Sequence, residues 1–276
     1  MTRDPRRHEP MPSRSDWGAL CAFGTLGWQR ATSERPALLM RGGLNVLALA
    51  IFWAFWRATP PQELEVWDLT PSRLIWYLTI TEWIVFTTGT PYREIEEDIR
   101  SCALASCLSR PVSYAQACLA QWCGGMAFRL PVFAVIGFGA ALGFSGAMPL
   151  TPAMLPVGLI SAVLALGLIH LCHLMIGLAT TWTGSAAPLH WIWQKGLFVL
   201  GGLIIPLSLY PTPLRGVAEL SPFAAMLSAP ASLVIDSSRE HAEMVLTMQT
   251  AWLVALGALA WLIDRAATSR FTARGI

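Results

Sequence analysis

The chain has 276 residues, of which 54% are hydrophobic and only 13% are charged, and its mean hydropathy is +0.51. A soluble domain of this size carries about 25% charged residues, so the composition excludes an ordinary soluble protein and predicts a membrane protein. The net charge of +2 carries little information about partners, and we predict no nucleic-acid partner.

The N-terminal part divides into a polar tail and an apolar segment. Residues 1–14 are Arg-rich, and we predict that they form a disordered cytoplasmic tail. Over 15–36, large apolar residues such as Trp17 and Trp28 mix with small and polar ones. This mixture is typical of a helix in the membrane interface with its tryptophans at headgroup level, and an apolar linker is the alternative.

A transmembrane domain is predicted over 37–265, followed by a cytoplasmic tail over 266–276. Apolar runs long enough to be membrane spans lie at about 38–56, 73–90, 127–145, 156–178, 191–210 and 243–263. With these spans, fifteen of the nineteen Lys and Arg residues fall on one side, and only Arg57, Arg73, Arg215 and Arg239 fall on the other. The positive-inside rule then places both termini in the cytoplasm, and the predicted fold is all-α with six spans.

Capping residues mark two helix starts. Thr70 precedes Pro71 at the start of the second span, and Ser113 and Gln116 have the spacing of a capping box. A continuous helix from that box to Gly143 would measure roughly 45 Å, against a hydrocarbon core of about 30 Å. We therefore predict that the third helix begins in the cytoplasm.

The segment Trp191–Val234 begins as an apolar helix and then breaks near Pro211 into pieces too short to cross a bilayer. Irregular backbone at membrane depth is found only where protein or a water-lined cavity satisfies its peptide groups. We predict two helical turns over Pro213–Leu220 and a second helix that Ser221 caps and that runs from Pro222 towards Ile235, both re-entrant on the outer side. Such a segment is typical of one wall and the outer mouth of a passage.

The most charged block of the chain follows the second span. Ile95 and Ile99 lie one turn apart, and the charged residues occupy the other faces: Glu94, Glu96, Glu97, Asp98 and Arg100. This pattern predicts an amphipathic cytoplasmic helix over Arg93–Leu108, with its apolar face against the membrane domain and an acidic face exposed. A solvated helix without a partner is the alternative.

Three ionisable residues within or near the spans are candidates for the wall of a passage: Glu82, Arg129 and His170. A carboxylate at the depth of Glu82 costs at least about 2.5–3.5 kcal/mol, so it either faces a cavity, where it would attract a cationic substrate, or bonds to a neighbouring helix. The alternatives for the other two are extension of Arg129 to the membrane boundary and an interhelical hydrogen bond at His170. His170 and His173 share a helix face, but their span contains no carboxylate, and we predict no metal site.

Energy coupling must come from elsewhere if transport uses ATP. Lys195 is the only lysine, and Gln194 precedes it where a Walker A loop requires glycine. We therefore predict no catalytic residue and no cofactor in this chain. Gly201 and Gly202 permit close helix packing, and the seam of a dimer is the leading interpretation.

Three blocks of the sequence together resemble the permease subunits of type-2 ABC exporters, in the branch of bacterial viologen and multidrug exporter permeases. They are EIEEDIRSCALASCLSRPVS, PLHWIWQKGLFVLGGLIIPLSLYPTPLRGVAELSPFAAMLSAPASL and the tail RFTARGI. The chain departs from the family pattern at Cys102, where glycine is more usual, and at Gly184-Ser185, where an acidic residue is expected.

The resemblance implies a multi-pass permease subunit in the bacterial cytoplasmic (inner) membrane. The charged helix would be a coupling helix that docks on a separate ABC ATPase subunit, which holds ATP and Mg²⁺. A second permease chain, in a homodimer or heterodimer, would complete the passage. Pro206, Pro211, Pro222 and Phe223 would form the hinge and re-entrant helices of an outer gate. The alternatives are a membrane-embedded metal-dependent enzyme using His170, His173 and Glu82, and an ion-driven transporter.

Overall fold

The computed structural model describes residues 16–60, 62, 64, 69–101, 112–146 and 148–273, and the regular structure within these residues is helical. In chain order the helices are α1 (Asp16–Ser33), α2 (Arg35–Ala58), α3 (Pro71–Thr88), α4 (Pro91–Arg100), α5 (Tyr114–Ser145), α6 (Leu155–Thr183), α7 (Ala187–Leu200), α8 (Thr212–Glu219), α9 (Pro222–Met226), α10 (Ser228–Ser232) and α11 (Arg239–Ala273). The all-α prediction is confirmed for this part of the chain.

Four of the helical segments are long and apolar enough to cross a membrane. They are Arg35–Ala58, Tyr114–Ser145, Pro152–Thr183 and Arg239–Arg270. The central helix α3 is not among them, since it carries Arg73, Glu82 and four threonines. At 14 residues, α7 measures about 21 Å and is shorter than the hydrocarbon core of about 30 Å. The molecule is a multi-pass membrane protein, and the count of six spans stays a prediction.

Helix α3 lies at the centre of the bundle, in contact with α2, α5, α6 and α10. Trp76, Tyr77 and Ile84 are fully buried there. The Trp83 indole donates a hydrogen bond to the Leu130 carbonyl of α5 at 2.9 Å, so a polar group also joins the two helices. The predicted cap is confirmed, because the Arg73 amide donates to Thr70 Oγ1 at 3.2 Å.

The bundle has two ends, which we name by the short helices that lie there. At the α4 end, Arg30 of α1 pairs with Glu94 of α4, and Arg270 of α11 lies over the Trp182 ring near the end of α6. Helix α8 lies at the opposite end, which we call the α8 end, before the start of α11. The C-terminal ends of the first and the last described helices therefore both lie at the α4 end.

Helix α1 packs along the first half of α5 with almost no space between the backbones. A Cβ atom on Gly27 would lie 1.8 Å from the Gln121 carbonyl oxygen, and one on Gly124 would lie 1.9 Å from the Gly24 carbonyl oxygen. The predicted helix is thus confirmed over Asp16–Ser33, and its location in the interface stays a prediction. The predicted tail 1–14 lies outside the described residues.

Helix α5 confirms a prediction, and α11 changes one. The Ser113–Gln116 capping box is formed, and α5 runs for 32 residues, or about 48 Å. Helix α11 continues to Ala273, so most of the predicted tail 266–276 is helical.

The segment after Trp191 differs from its prediction at two points. The predicted span 191–210 is wrong as a continuous helix, because α7 ends at Leu200 and Gly202 has a φ of +64°, which glycine adopts without strain. The predicted helix 222–235 is divided at Leu227, because the ring of Pro230 clashes with the carbonyl four residues earlier. The two predicted turns are confirmed as α8, and the Ser221 cap is formed.

Candidate functional site

The short charged helix α4 is attached to the bundle by its apolar face. Ile95 and Ile99 are buried, as the sequence pattern predicts. Ile95 lies in a notch on α6 where a Cβ on Gly177 would come within 2.6 Å of the Ile95 Cβ. The fit is tight enough that a residue larger than glycine at position 177 would collide with α4. The predicted remainder of this helix, up to Leu108, lies largely outside the described residues.

Most of the charged residues on α4 bond within the chain. Glu94 accepts hydrogen bonds from Arg30, at 2.9 Å, and from Gln121. The hydroxyl of Tyr114 donates to Asp98 Oδ2 at 2.9 Å. Glu94 and Asp98 therefore bond to α1 and α5, but Glu94 stays about half exposed, so the predicted acidic face is exposed in part.

The outward side of α4 carries charges of both signs. Arg93, Glu97 and Arg100 are exposed, and they lie at intervals of four and three residues on one side of the helix. Arg100 pairs with Glu96 at 2.7 Å and donates to the Gly184 carbonyl at 3.0 Å. These contacts hold the end of α4 against the loop between α6 and α7 and leave Glu97 facing solvent.

The three predicted passage residues do not come together. Asn45 of α2 donates a hydrogen bond to Glu82 Oε2 at 2.6 Å, and Asn45 is 2% exposed. Arg129 donates to the Thr87 carbonyl at 3.1 Å, so it caps the end of α3. Each contact fits the structural alternative. A polar residue in an apolar run was the sequence signal for Asn45, and we did not use it.

His170 is buried and stacks on Trp122 of α5, with ring centroids 4.5 Å apart. His173, one turn later, instead lies against Trp193 at 4.7 Å. Within the described residues, no three His, Cys, Asp or Glu side chains are grouped as a metal site. The metal-enzyme alternative requires Glu82 to join both histidines, whereas Glu82 bonds to α2.

Buried side chains from α3 satisfy the irregular backbone after α7. The Tyr77 hydroxyl donates to the Gly202 carbonyl at 2.6 Å, and the Thr81 hydroxyl donates to the Leu203 carbonyl at 2.7 Å. Both donors are completely buried. This arrangement is the condition under which non-helical backbone exists at membrane depth.

Helix α11 supports the short helix α9 in the same way. The buried Gln249 amide donates to the carbonyls of Ala225 and Ser161, each at 3.0 Å, and Gln249 Oε1 accepts from the Ser161 hydroxyl at 2.9 Å. Phe223 of α9 packs on α7 at Gly196, where a Cβ would lie 2.8 Å from the Phe223 ring. No local pattern in the sequence predicts these roles of Tyr77, Thr81 and Gln249.

The predicted gate and dimer residues have different surroundings. Pro206 is buried, Pro211 is exposed, and Pro222 and Phe223 are half-buried. Gly201 and Gly202 are buried within this chain, and a Cβ on Gly202 would lie 2.9 Å from the Tyr77 hydroxyl. Both glycines therefore pack within this chain, and their role at a seam between two chains stays a prediction.

Helix α4 also contacts α7. The Tyr92 ring stacks on His190 with centroids 3.9 Å apart and planes inclined by 16°. Helix α4 thus contacts α6 through Ile95 and α7 through Tyr92. Helix α7 leads directly into the irregular backbone of residues 201–211, which we call the broken segment.

These features define a helical, multi-pass membrane protein with a charged helix at one end and short, broken helices at the other. The family model for the ABC-2 family transporter protein matches residues 46–275, and the chain belongs to this family. It is therefore the membrane component of an ABC transporter, as the resemblance implies, and the viologen and multidrug branch stays a prediction. No curated protein and no solved structure matches the chain.

Proposed function

We propose that the chain is the permease subunit of an ATP-driven exporter and moves a small molecule across the bacterial inner membrane. The ATPase, with its ATP and Mg²⁺, is a separate polypeptide that contacts α4. The observation that carries this proposal is α4 itself: one face fits a notch on α6, and the other presents Arg93, Glu97 and Arg100 to solvent. An exposed face of mixed charge suits a polar and separable protein interface.

The coupling path follows from the contacts of α4. Closure of the ATPase subunits displaces α4, Ile95 transmits the movement to α6 through Gly177, and Tyr92 transmits it to α7 through His190. Because α7 ends at Leu200, its displacement reaches the backbone that Tyr77 and Thr81 hold. In this proposal Pro206, Pro211, Pro222 and Phe223 are the hinge and re-entrant parts of an outer gate.

The proposed assembly contains two permease chains, either identical or paralogous, with the passage at their seam. The α4 end faces the cytoplasm, and with it lie both termini. The outer faces of α2 and α7 are suited to the seam, because they expose large apolar side chains such as Leu44, Ile51, Trp191 and Ile192.

The cargo is a small molecule, and Glu82 does not indicate its chemical class. Its carboxylate accepts the Asn45 hydrogen bond, so attraction of a hydrophobic cation through this residue has no support in the geometry. The cationic cargo inferred from the sequence therefore stays one option among small molecules.

Copurification with charge-reversed variants tests the ATPase contact. The double variant Glu97→Arg, Arg100→Glu keeps the net charge and reverses the exposed face of α4. We expect it to lose copurification of the ABC ATPase in mild detergent and ATP-dependent efflux of Nile red, a neutral aromatic probe, from cells. The matched control is Arg239→Glu, Glu243→Arg, which reverses an exposed i, i+4 pair (2.8 Å) at the α8 end.

Retention of the ATPase and of efflux by the α4 variant would contradict the coupling assignment. Efflux that responds to an ionophore and not to ATP depletion would favour the ion-driven alternative. Metal-dependent activity of the purified chain alone would favour the enzyme.

A further inference from the structure

A cavity of about 240 Å³ lies between α3, α6 and α7 near the α4 end. Its walls include the aromatic side chains of Phe86, Trp193 and Phe198 and the rings of two histidines. Flat aromatic walls favour a flat ligand, because stacked and edge-on ring contacts contribute about 0.5–1.5 kcal/mol beyond the burial of area. The cavity volume accommodates a ligand of one or two fused rings.

Three polar side chains in the cavity lining, His173, His190 and Trp193, carry buried nitrogen atoms without a hydrogen-bond partner among the described residues. These atoms are both ring nitrogens of His173, Nδ1 of His190 and Nε1 of Trp193. His173 is only 2% exposed. An unpaired buried polar atom costs about 1–3 kcal/mol, and several such atoms around one cavity indicate a ligand that bonds to them. The ligand must therefore carry hydrogen-bonding groups on or beside its rings.

The charge at the cavity favours one sign of ligand. Among the described residues that line it, Arg41 is the charged one, and Arg93 approaches His190 from the neighbouring helix. None of these lining residues is a carboxylate. A cation entering the cavity would be repelled, whereas a carboxylate or another anionic group would be attracted to Arg41.

We propose that this cavity is the cargo site and that it binds a planar aromatic molecule that is neutral or anionic and carries hydrogen-bonding groups. The inference rests on the proposed exporter function and makes its cargo class specific. It differs from a cationic cargo. Because Tyr92 of α4 stacks on His190, which lines the cavity, a displacement of the coupling helix changes the shape of the cavity directly.

Binding of two probes of equal shape and opposite charge tests the proposal. Equilibrium dialysis of the full chain in mild detergent would compare 2-naphthoate with 2-naphthylmethylammonium. We expect the anion to bind at least about tenfold more tightly than the cation. Arg41→Gln should remove this preference while the weaker, stacking part of the binding remains.

Histidine substitutions on one helix supply the matched control. His173→Phe keeps an aromatic ring but removes both nitrogens, and we expect it to weaken naphthoate binding about tenfold. His170→Phe makes the same change one turn earlier, at a buried histidine that stacks on Trp122 outside the cavity lining. We expect it to bind as the unchanged chain does. Trp193→Phe replaces His173→Phe in the comparison if the latter does not fold.

Equal weakening by His170→Phe and His173→Phe would overturn the proposal, and so would equal binding of the two probes. The assay needs no ATPase, so its outcome is separate from that of the copurification experiment. If the chain copurifies with the ATPase but binds neither probe, only the inference about the cargo is contradicted. If the chain binds naphthoate but never copurifies with an ATPase, the exporter function is contradicted instead.

Discussion

The two ends of the bundle hold their short helices by different means. At the α4 end, shape determines the position: Ile95 fits where Gly177 leaves no room for a Cβ. At the α8 end, side-chain hydrogen bonds determine it: Tyr77, Thr81 and Gln249 each donate to a backbone carbonyl of the broken segment or of α9. Packing therefore holds the charged helix at one end, and buried hydrogen bonds hold the irregular backbone at the other.

The physical reason is the supply of water. Ion pairs exposed to water contribute about 0–1 kcal/mol, so the charges on α4 alone do not fix its position and packing must do so. At membrane depth, an unpaired carbonyl has no water to bond to, so each break in a helix needs a donor from a neighbouring helix. Four substitutions test this explanation of the two ends.

The largest effect is expected from Gly177→Ala, which fills the notch under α4. The new Cβ would lie 2.6 Å from the Ile95 Cβ, and such overpacking costs about 1–3 kcal/mol, which detachment of α4 would relieve. We expect faster hydrogen exchange in Arg93–Arg100 and loss of ATPase copurification. Gly167→Ala on the same helix is the control, because its Cβ would meet Leu253 at an ordinary 3.6 Å. Equal exchange in the two variants would mean that shape does not hold α4.

Gln249→Leu should have the next largest effect, on stability. It removes the hydrogen bonds to Ser161 and Ala225 within a buried region, and we expect a loss of about 2 kcal/mol in the free energy of unfolding. Denaturant unfolding in detergent would measure the loss. The neighbouring Thr250→Val is the control, since Thr250 is exposed and bonds only to Leu246 of its own helix. An equal change in both variants would contradict the role of Gln249.

Tyr77→Phe should destabilise the broken segment by a smaller amount. It leaves the Gly202 carbonyl without its donor, and we expect a loss of about 1 kcal/mol in the free energy of unfolding. Tyr210→Phe deletes a similar 2.8 Å bond, to the Val199 carbonyl, at a more exposed position where water can replace the hydroxyl. The comparison predicts that only the first variant unfolds earlier on heating. A larger shift for Tyr210→Phe would reverse our explanation of the α8 end.

The smallest effect is expected from Arg30→Gln, which removes the ion pair between α1 and α4. Both side chains are about half exposed, so the change in unfolding free energy should stay below about 1 kcal/mol and shrink as salt is added. Arg239→Gln, at an exposed pair near the α8 end, should behave alike. A loss as large as that of Gly177→Ala would show that charge, and not shape, positions α4.

Local signals in the sequence predicted the individual helices well. The caps at Thr70, Ser113 and Ser221 are formed as predicted, because each involves residues within three positions along the chain. The apolar face of α4 was also evident from the spacing of Ile95 and Ile99. The end of α7 was misplaced, because the prolines at 211 and 213 were given more weight than the glycine pair at 201 and 202.

The candidate site was less predictable, since its contacts join distant parts of the chain. Nothing near Glu94 or Asp98 in sequence indicates that they turn towards α1 and α5. Glu82 marked a buried carboxylate, but its partner Asn45 lies on another helix. The cavity with His173 and His190 forms only when α6 and α7 pack side by side.

The amino-acid sequence alone predicted a helical membrane protein and the residues at which most of its helices begin. It also predicted a charged amphipathic helix and an apolar segment that is interrupted. Composition, periodicity and capping act over a few residues, so they are present before the chain folds. The packing of distant helices determines which side chains donate hydrogen bonds to the free carbonyls of the broken segment. The hydrogen bond from Tyr77 to Gly202 joins residues 125 positions apart, and the packing of α3 against the segment after α7 alone brings them within reach.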